Sequence, residues 1–438
     1  MTNQLVIGII CFALMVVLTM AGVPVCISLL FPATLGFLLV GGVPMMAKQL
    51  ADGVFANSAS YSYAVVPLFT IVGVLAGDTG IAGNAYTSMH AWLSKRKGGL
   101  VYATICANAV FGACSGISVA GNIVFSKIAA PELKKRHYDE SLSYGCISAA
   151  SALSSLIPPS IPIIMTCILT ETSIGTSLMC STAAGILVVI LMCLVVKITG
   201  LIHPEKLPSP SEEDKQITWL DRLKSLRLLI PIAVLFALII GGSFFGWFPA
   251  TVGGAIAMVA IVIYALCKKM PVKHIGKSLW QGVTMFVGIF LMILGGTLFS
   301  RFVTTTGLAS VMVSGIAKLT LPPIIIFLIV VVFYLFIGCF MNTMPIIIIT
   351  APIIVPMLKG IGFSEFVVVV ALVLLTEIGN ITPPVGNGVF MVATALKESP
   401  AKIFKGIWPF FFALVGAVIL FAIFPITLEW LPRLLGMM

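Results

Sequence analysis

Apolar stretches long enough to cross a membrane recur along this chain, separated by short polar segments. A transmembrane helix needs about 20 mostly apolar residues. The uninterrupted stretches predict spans near 5–22, 26–43, 62–78, 177–198, 228–246, 249–267, 283–300 and 406–430. The segment 44–61 is mildly polar and is predicted to be a connector. The pattern therefore predicts an all-α polytopic membrane protein.

Two further apolar stretches, 141–170 and 364–396, are interrupted in their middle. The first contains Leu156-Ile157-Pro158-Pro159-Ser160, and the second contains Gly379-Asn380-Ile381-Thr382-Pro383-Pro384. Proline removes a backbone donor and glycine allows unusual dihedral angles, so each stretch is predicted to be a broken helix. Such backbone survives at membrane depth only where protein buries it or where it lines a watery cavity. Its free carbonyl and N–H groups suit a cation and an anion respectively.

Each half of the chain also contains a segment that is too short for two crossings. Residues 98–133 lie between the basic clusters 95–97 and 134–136, so the chain must leave and return on the same side. Two full crossings would need about 40 apolar residues. We therefore predict a re-entrant helical hairpin with a small polar tip at 112–118. A second hairpin is predicted at 321–358, with its tip at 338–343.

The broken helices and the hairpins recur at one spacing, which indicates an internal duplication. The separation between Pro158 and Pro383 along the chain equals the separation between Glu140 and Glu365. We predict a first repeat at 1–198, a cytoplasmic linker at 199–226 and a second repeat at 227–438. Each repeat would cross the membrane an odd number of times. The second repeat would therefore be inverted, and the two hairpin tips would face each other.

Composition and charge agree with a membrane protein and predict its orientation. Of the 438 residues, 60% are hydrophobic and 9% are charged, whereas soluble proteins carry about 25% charge. Most basic residues fall on one side of this topology, which should be cytoplasmic, and both termini should be periplasmic. The sequence pI of 9.1 reflects this bias and does not indicate nucleic acid binding. The basic residues on the other side are Lys48, Arg301, Lys318, Lys359 and Arg433.

Inverted repeats with broken helices and facing hairpins are typical of secondary transporters, which bind substrate and ions at the repeat interface. The polar groups at the tips and breaks are hard oxygen ligands, which suit Na⁺ better than a soft metal. The alternative is that these residues only cap helix ends and allow close packing. The predicted sodium and substrate site comprises Ser115, Ser118, Ser154, Ser155, Pro158, Pro159, Gly338, Asn342, Thr343, Gly379, Asn380, Thr382 and Pro383.

Glu377 lies well inside a predicted span, where an ionisable residue is a functional candidate. The alternative is that it pairs with a neighbouring donor and holds the helix in place. The sequence has neither a Walker A loop nor an HExxH motif, so we expect no enzyme activity, no cofactor and no metal other than Na⁺. The ten cysteines are expected to be small buried hydrophobes. An ion channel stays open as another function, because broken helices also line channels.

Three motifs resemble the large membrane subunit of TRAP transporters, the tripartite ATP-independent periplasmic family. The likeness covers nearly the whole chain. The first motif is Pro131-Glu132-Leu133-Lys134-Lys135-Arg136-His137-Tyr138-Asp139 followed by Ile157-Pro158-Pro159-Ser160-Ile161-Pro162. The second is Glu377-Ile378-Gly379-Asn380-Ile381-Thr382-Pro383-Pro384-Val385-Gly386. The third is Pro67-Leu68-Phe69 with Gly73.

The resemblance implies an elevator-type fold of the ion-transporter superfamily in a bacterial inner membrane. It implies two protein partners, which are a small four-helix membrane subunit and a soluble periplasmic substrate-binding protein. It also implies Na⁺-driven uptake of an organic acid, such as a C4-dicarboxylate or an acidic sugar. The second candidate is a stand-alone Na⁺-coupled dicarboxylate or citrate symporter of related architecture, which needs no binding protein.

Overall fold

The computed structural model describes residues 3–242, 247–308, 311 and 321–438. Over these residues the regular structure is helical, and no strand occurs. The predicted all-α fold is therefore confirmed.

The first half of the chain forms helices α1 to α10, which include one helical hairpin and one broken helix. Their bounds are α1 Asn3–Met20, α2 Val25–Ser58, α3 Val65–Asp78, α4 Ile81–Leu93, α5 Gly99–Ser115, α6 Ser118–Lys135, α7 Glu140–Ala150, α8 Ala152–Leu156, α9 Ile161–Thr170 and α10 Ile174–Ile202. Helices α5 and α6 form hairpin 1. Helices α7, α8 and α9 form the first broken helix, which bends by 46° at its break.

Two short helices follow in the linker, and the second half repeats the plan of the first. Their bounds are α11 Glu212–Gln216, α12 Trp219–Leu226, α13 Ile230–Phe236, α14 Ala250–Cys267, α15 Val272–Thr305, α16 Pro323–Gly338, α17 Thr343–Gly360, α18 Glu365–Gly379, α19 Asn387–Leu396, α20 Pro400–Ile423 and α21 Ile426–Leu434. Helices α16 and α17 form hairpin 2, and α18 with α19 forms the second broken helix. Among the described helices, α2, α10, α15, α17 and α20 are each long and apolar enough to cross a membrane.

The connector expected at 44–61 is mostly helical, which its polarity did not indicate. Helix α2 continues to Ser58, although its dihedral angles leave the helical region at Gly41 and Gly42. Gly42 has a φ of 70°, which glycine adopts without steric cost. The segment stays helical because it packs along α15, where the Asn57 side chain donates to the Thr297 hydroxyl at 2.9 Å. Packing thus overrides its local polarity.

The helices of the two halves begin at nearly constant spacing. Helices α6 and α7 of the first half correspond to α17 and α18 of the second, and the first residues of both pairs are separated by the same number of residues. The first residues of α9 and α19 are separated by one residue more. Side chains follow the same relation. Lys134 pairs with Glu140 at 3.3 Å, and Lys359 pairs with Glu365 at the equivalent positions of the second half. Equivalent ion pairs thus join each hairpin to the broken helix that follows it.

The linker between the halves is docked onto the end of hairpin 1. Asp214 of α11 accepts from Arg136 and lies 3.0 Å from the His90 ring nitrogen. Ser211 caps α11 and also donates to Asp214, at 2.9 Å. Burial alone would raise the pKa of Asp214, but hydrogen bonds from Arg136 and Ser211 hold it below its ordinary value. The linker is therefore a fixed part of this face.

Helices α7 and α20 join the two halves through backbone contact at two glycines. A Cβ added at Gly145 would fall on the backbone of Gly406, which cannot move aside as a flexible side chain would. Helix α20 also contains Gly416, where an added Cβ meets nothing within 4 Å. Gly145 is thus tightly packed and Gly416 is not, so the same substitution at both positions tests the effect of this contact.

We predict that Gly145→Ala lowers stability by about 1–3 kcal/mol, because overpacking forces the two backbones apart. Thermal unfolding of the purified protein in detergent should show a fall in the melting temperature of several degrees. The control, Gly416→Ala, should leave the melting temperature unchanged or slightly raised, since alanine is the better helix former. Equal melting temperatures for the two variants would contradict this packing.

Candidate functional site

The tip of hairpin 1 lies against the first broken helix. The Ser118 amide donates to the Ser155 hydroxyl at 3.0 Å, and the Ile161 amide donates to the Gly116 carbonyl at 3.3 Å. Gly116 has a φ of 64°, and a Cβ there would collide with the Pro159 carbonyl. The turn therefore requires glycine, since only glycine fits both the backbone angle and the contact.

Serine side chains satisfy much of the backbone that the first break leaves free. The Ser160 hydroxyl donates to the Ser155 carbonyl, and the Ser181 hydroxyl donates to the Leu156 carbonyl. The Ser154 hydroxyl donates to the Asn108 carbonyl at 3.4 Å. Ser160 and Ser181 therefore cap the break, and the carbonyls of residues 155 and 156 already have donors. Ser154 instead joins the broken helix to α5 of hairpin 1.

The tip of hairpin 2 lies against the second broken helix in a similar way. Gly338 and Gly379 bring their backbones into direct contact, and a Cβ on either would collide with the other. The Gly386 amide donates to the Cys339 carbonyl at 3.1 Å, and the Cys339 thiol donates to the Pro383 carbonyl at 3.1 Å. The Thr382 hydroxyl donates to the Ile378 carbonyl at 2.6 Å, so it caps the end of α18, the helix that precedes it.

The two tip-and-break pairs meet at Glu377. Its side chain is 3% exposed, and the Thr343 hydroxyl donates to the carboxylate at 2.8 Å. The Asn380 amide in turn donates to the Thr343 hydroxyl at 2.7 Å. Ser118 and Ser155 of the first half also adjoin this carboxylate. Within the described part of the chain, no lysine, arginine or histidine nitrogen forms an ion pair with it.

A small cavity adjoins the carboxylate and has a volume of about 10 Å³, roughly the space that one water molecule needs. The side-chain oxygens of Asn122 and Asn380 are buried and accept no hydrogen bond from the described residues. The cavity is lined by Ser118, Val119, Asn122, Ser151, Asn342, Glu377, Asn380, Ile381, Gly388 and Met391. Carboxylate, amide and hydroxyl oxygens together form a donor set for a hard cation.

The structure brings together only part of the predicted site. Ser118, Asn342, Thr343, Asn380 and Glu377 adjoin one cavity or one carboxylate. The Ser115 hydroxyl is buried without a hydrogen-bond partner among the described residues, but it does not line this cavity. Other predicted members form contacts and caps around it, namely Ser154, Pro159, Gly338, Gly379, Thr382 and Pro383. Pro158 lies in the break between α8 and α9.

Asn122 and Ser151 line the cavity and were missed by the sequence prediction, which covered only the tips and the breaks. Asn122 lies about one turn after the tip, and Ser151 lies about one turn before the break. Asn122 could have been recognised from the sequence, because its polar side chain lies in the arm of a predicted membrane hairpin. Burying an amide there without a hydrogen-bond partner is costly, which suggests that it has a partner or a ligand.

Comparison with known proteins agrees with this geometry. The family described as the tripartite ATP-independent periplasmic transporter, DctM component, matches residues 12–427. The chain belongs to this family. It is therefore the large membrane component of a TRAP transporter, a multi-pass transport protein of the inner membrane and not an enzyme. Membership favours the tripartite interpretation over a stand-alone symporter or a channel.

Several curated TRAP permeases resemble this chain over nearly its full length. The C4-dicarboxylate large permease DctM of Pseudomonas aeruginosa is 28% identical over 90% of this chain and 91% of its own. The ectoine/5-hydroxyectoine permease UehC of Ruegeria pomeroyi is 26% identical over 94% and 96%. The sialic acid permease SiaM of Vibrio cholerae is 24% identical over 95% and 96%.

A solved structure shares the fold at low sequence identity. The Alcanivorax borkumensis YdaH transporter matches with a TM-score of 0.62 and 16% identity, over 93% of this chain and 97% of that one. At this identity, the likeness concerns the fold alone.

We predict that Thr343→Val destabilises this TRAP permease by about 1–3 kcal/mol, because it removes one hydrogen-bond donor from the buried Glu377 carboxylate and the acceptor of the buried Asn380 amide. Valine has nearly the same shape, so packing is kept. Thr427→Val is the control, since the Thr427 hydroxyl is exposed and bonds only to a nearby carbonyl. Thermal unfolding should separate the two variants, and equal melting temperatures would show that the Thr343 hydroxyl is dispensable.

Proposed function

We propose that this chain is the transport subunit for Na⁺-coupled uptake of an organic acid across the bacterial inner membrane. The observation that carries the proposal is the buried Glu377 carboxylate, which both halves of the protein surround with neutral hydrogen-bonding groups. A buried charge is costly unless another charge compensates it. A cation in the adjoining cavity would supply that compensation.

The donor set supports Na⁺ as this cation. The groups around the cavity are oxygens of a carboxylate, of amides and of hydroxyls. Such ligands suit hard cations, and a soft metal would need thiolate or imidazole. The residues come from hairpin 1, the first broken helix, hairpin 2 and the second broken helix, so a bound ion would hold all four elements together. We propose Ser118, Asn122, Thr343, Glu377 and Asn380 as its principal surroundings.

Family membership supports the proposed partners and substrate class. A tripartite transporter includes further components, which we propose are a small four-helix membrane subunit and a periplasmic binding protein. The relatives are named for C4-dicarboxylates, for sialic acid and for ectoine, which all carry a carboxylate. We therefore propose a small organic acid as substrate, carried by elevator motion of the hairpins and broken helices against the remaining helices.

The charge distribution supports an orientation with both termini in the periplasm. The end of the molecule that holds Lys134 and Arg136 also holds the docked linker and Lys402. This concentration of basic residues favours the cytoplasmic side. Lys359 is the equivalent of Lys134 in the second half, so inversion of that half would place it outside. Lys318, also predicted to be outside, is not among the described residues.

We predict that Glu377→Gln raises the Na⁺ concentration for half-maximal uptake at least tenfold, which corresponds to about 1.4 kcal/mol of lost binding energy. The side chain keeps its shape and loses its charge, so Na⁺ should bind less tightly. The measurement is uptake into proteoliposomes that contain all components, over a range of Na⁺ concentrations.

Glu365→Gln is the matched control, because it makes the same change on the same helix at the protein surface. It should leave the Na⁺ dependence unchanged. The proposal fails if the two variants have the same Na⁺ dependence as the parent, or if a proton gradient drives full uptake without Na⁺.

We also predict that proteoliposomes with this chain and its small membrane partner take up little substrate until the binding protein is added. Addition should raise initial uptake at least tenfold, since docking of the binding protein delivers the substrate. A binding protein from an unrelated tripartite system is the control and should have no effect. Equal uptake with and without the cognate protein would support a stand-alone carrier instead.

A further inference from the structure

A second cavity, much larger than the first, lies between α2, α15 and the end of α9. Its volume is about 450 Å³, within the range of about 300–1,000 Å³ that small-molecule sites occupy. The first broken helix begins at Glu140, next to Lys134, and ends at Thr170. The cavity is thus at the other end of that helix, on the side proposed to be periplasmic. It is lined by Ala56, Asn57, Ser60, Tyr63, Cys167, Ile168, Glu171, Thr172, Ile174 and Arg301.

Arg301 is the one basic residue of this lining. It lies about one turn before the end of α15, and its side chain is exposed to the cavity. Its guanidinium approaches α2 closely, because Nη1 is 3.9 Å from the point where a Cβ on Gly53 would lie. Within the described ranges, no carboxylate forms an ion pair with this guanidinium. The charge is therefore directed at the cavity and not at an acidic partner there.

Several polar side chains line the cavity beside Arg301. The Asn57 amide donates to the Gly53 carbonyl at 2.6 Å and to the Thr297 hydroxyl at 2.9 Å, which fixes its orientation. Ser60 and Tyr63 add hydroxyl groups on the same side. Glu171, which directly follows α9, also lines the cavity, so the lining contains one basic and one acidic side chain.

We propose that this cavity is a docking site for the single carboxylate of an organic acid that enters from the periplasm. Arg301 would hold the carboxylate through its paired N–H groups, and the hydroxyls of Ser60 and Tyr63 would bind the rest of the molecule. A second carboxylate would face Glu171 and be repelled, so acids with one carboxylate bind better than dicarboxylates. The proposal rests on the proposed uptake of an organic acid.

The test measures anion attraction directly, through a cysteine placed in the cavity wall. Ala56→Cys is made in a chain that also carries Cys267→Ser, which removes an exposed native thiol. The purified protein is labelled with an anionic and with a cationic methanethiosulfonate reagent, and the same chain without Ala56→Cys gives the background. The ratio of anionic to cationic labelling rates should fall about fivefold in Arg301→Gln, as expected for loss of one nearby charge in a partly solvated site.

Lys48→Gln is the matched control, because it removes one exposed charge from α2 outside the cavity lining. It should leave the ratio unchanged. Arg301→Lys keeps the charge and should keep the ratio near that of the parent. Equal ratios in Arg301→Gln and Lys48→Gln would overturn the proposal.

The second arm uses gluconate, with one carboxylate, and succinate, with two. Millimolar gluconate should slow labelling of the introduced cysteine at least threefold, and succinate should slow it less. Arg301→Gln should abolish this protection. Equal protection by succinate, or none by gluconate, would contradict the proposed site. Protection in vesicles of phosphatidylglycerol but not phosphatidylcholine, without added acid, would identify a lipid headgroup instead and would also overturn it.

These measurements need neither a Na⁺ gradient nor uptake. If labelling behaves as expected while Glu377→Gln leaves the Na⁺ dependence unchanged, the docking site stands and the Na⁺ site at Glu377 fails. If the labelling arms fail while uptake depends on Na⁺ and on Glu377, the transport function stands without this site.

Discussion

The fold depends on one constraint, which is that broken backbone at membrane depth must find hydrogen-bond partners inside the protein. Each break finds one of them in the hairpin tip of its own half, through the bonds from Ile161 to Gly116 and from Gly386 to Cys339. Gly116 lies on the Pro159 carbonyl, and Gly338 lies on Gly379, so neither contact leaves room for a side chain. The tips therefore cannot be separated from the breaks without exposing polar backbone. This requirement fixes each hairpin and its broken helix as one unit.

Much of this arrangement is predictable, because it follows from local chemistry that recurs along the chain. The paired prolines locate the breaks, and the basic clusters around a short apolar segment locate hairpin 1. The helical form of 44–61 could not be predicted in this way, since the partner that keeps this segment helical is α15, which lies in the other half of the chain. A polarity pattern carries no information about such a distant partner.

The residues around Glu377 were only partly predictable, because their contacts also join distant parts of the chain. The sequence identified Glu377 and Thr343 separately, but their hydrogen bond and the approach of Ser118 from the other half depend on how the two repeats face each other. Thr382, in contrast, was predicted to be a ligand but has another role. Its hydroxyl matched the pattern expected of an ion ligand, yet it donates to the Ile378 carbonyl at the end of α18, the helix that precedes it. Residue type alone does not separate a ligand from a helix cap.

The duplication explains both what the two halves share and where they differ. At the spacing that relates Pro158 to Pro383, Ser118 and Ser155 correspond to Thr343 and Asn380. Each pair joins a hairpin tip to its break, at 3.0 Å in the first half and 2.7 Å in the second.

The equivalent of Glu377 is Ala152, which is buried and uncharged. Both halves therefore keep a hydrogen bond between tip and break, donated by the tip backbone in the first half and by the Asn380 side chain in the second. Only the second half carries a carboxylate at this position. Two such charges facing each other at the centre would repel strongly in a medium of low dielectric constant. A single carboxylate avoids that repulsion and lets one cation neutralise a site that both halves build.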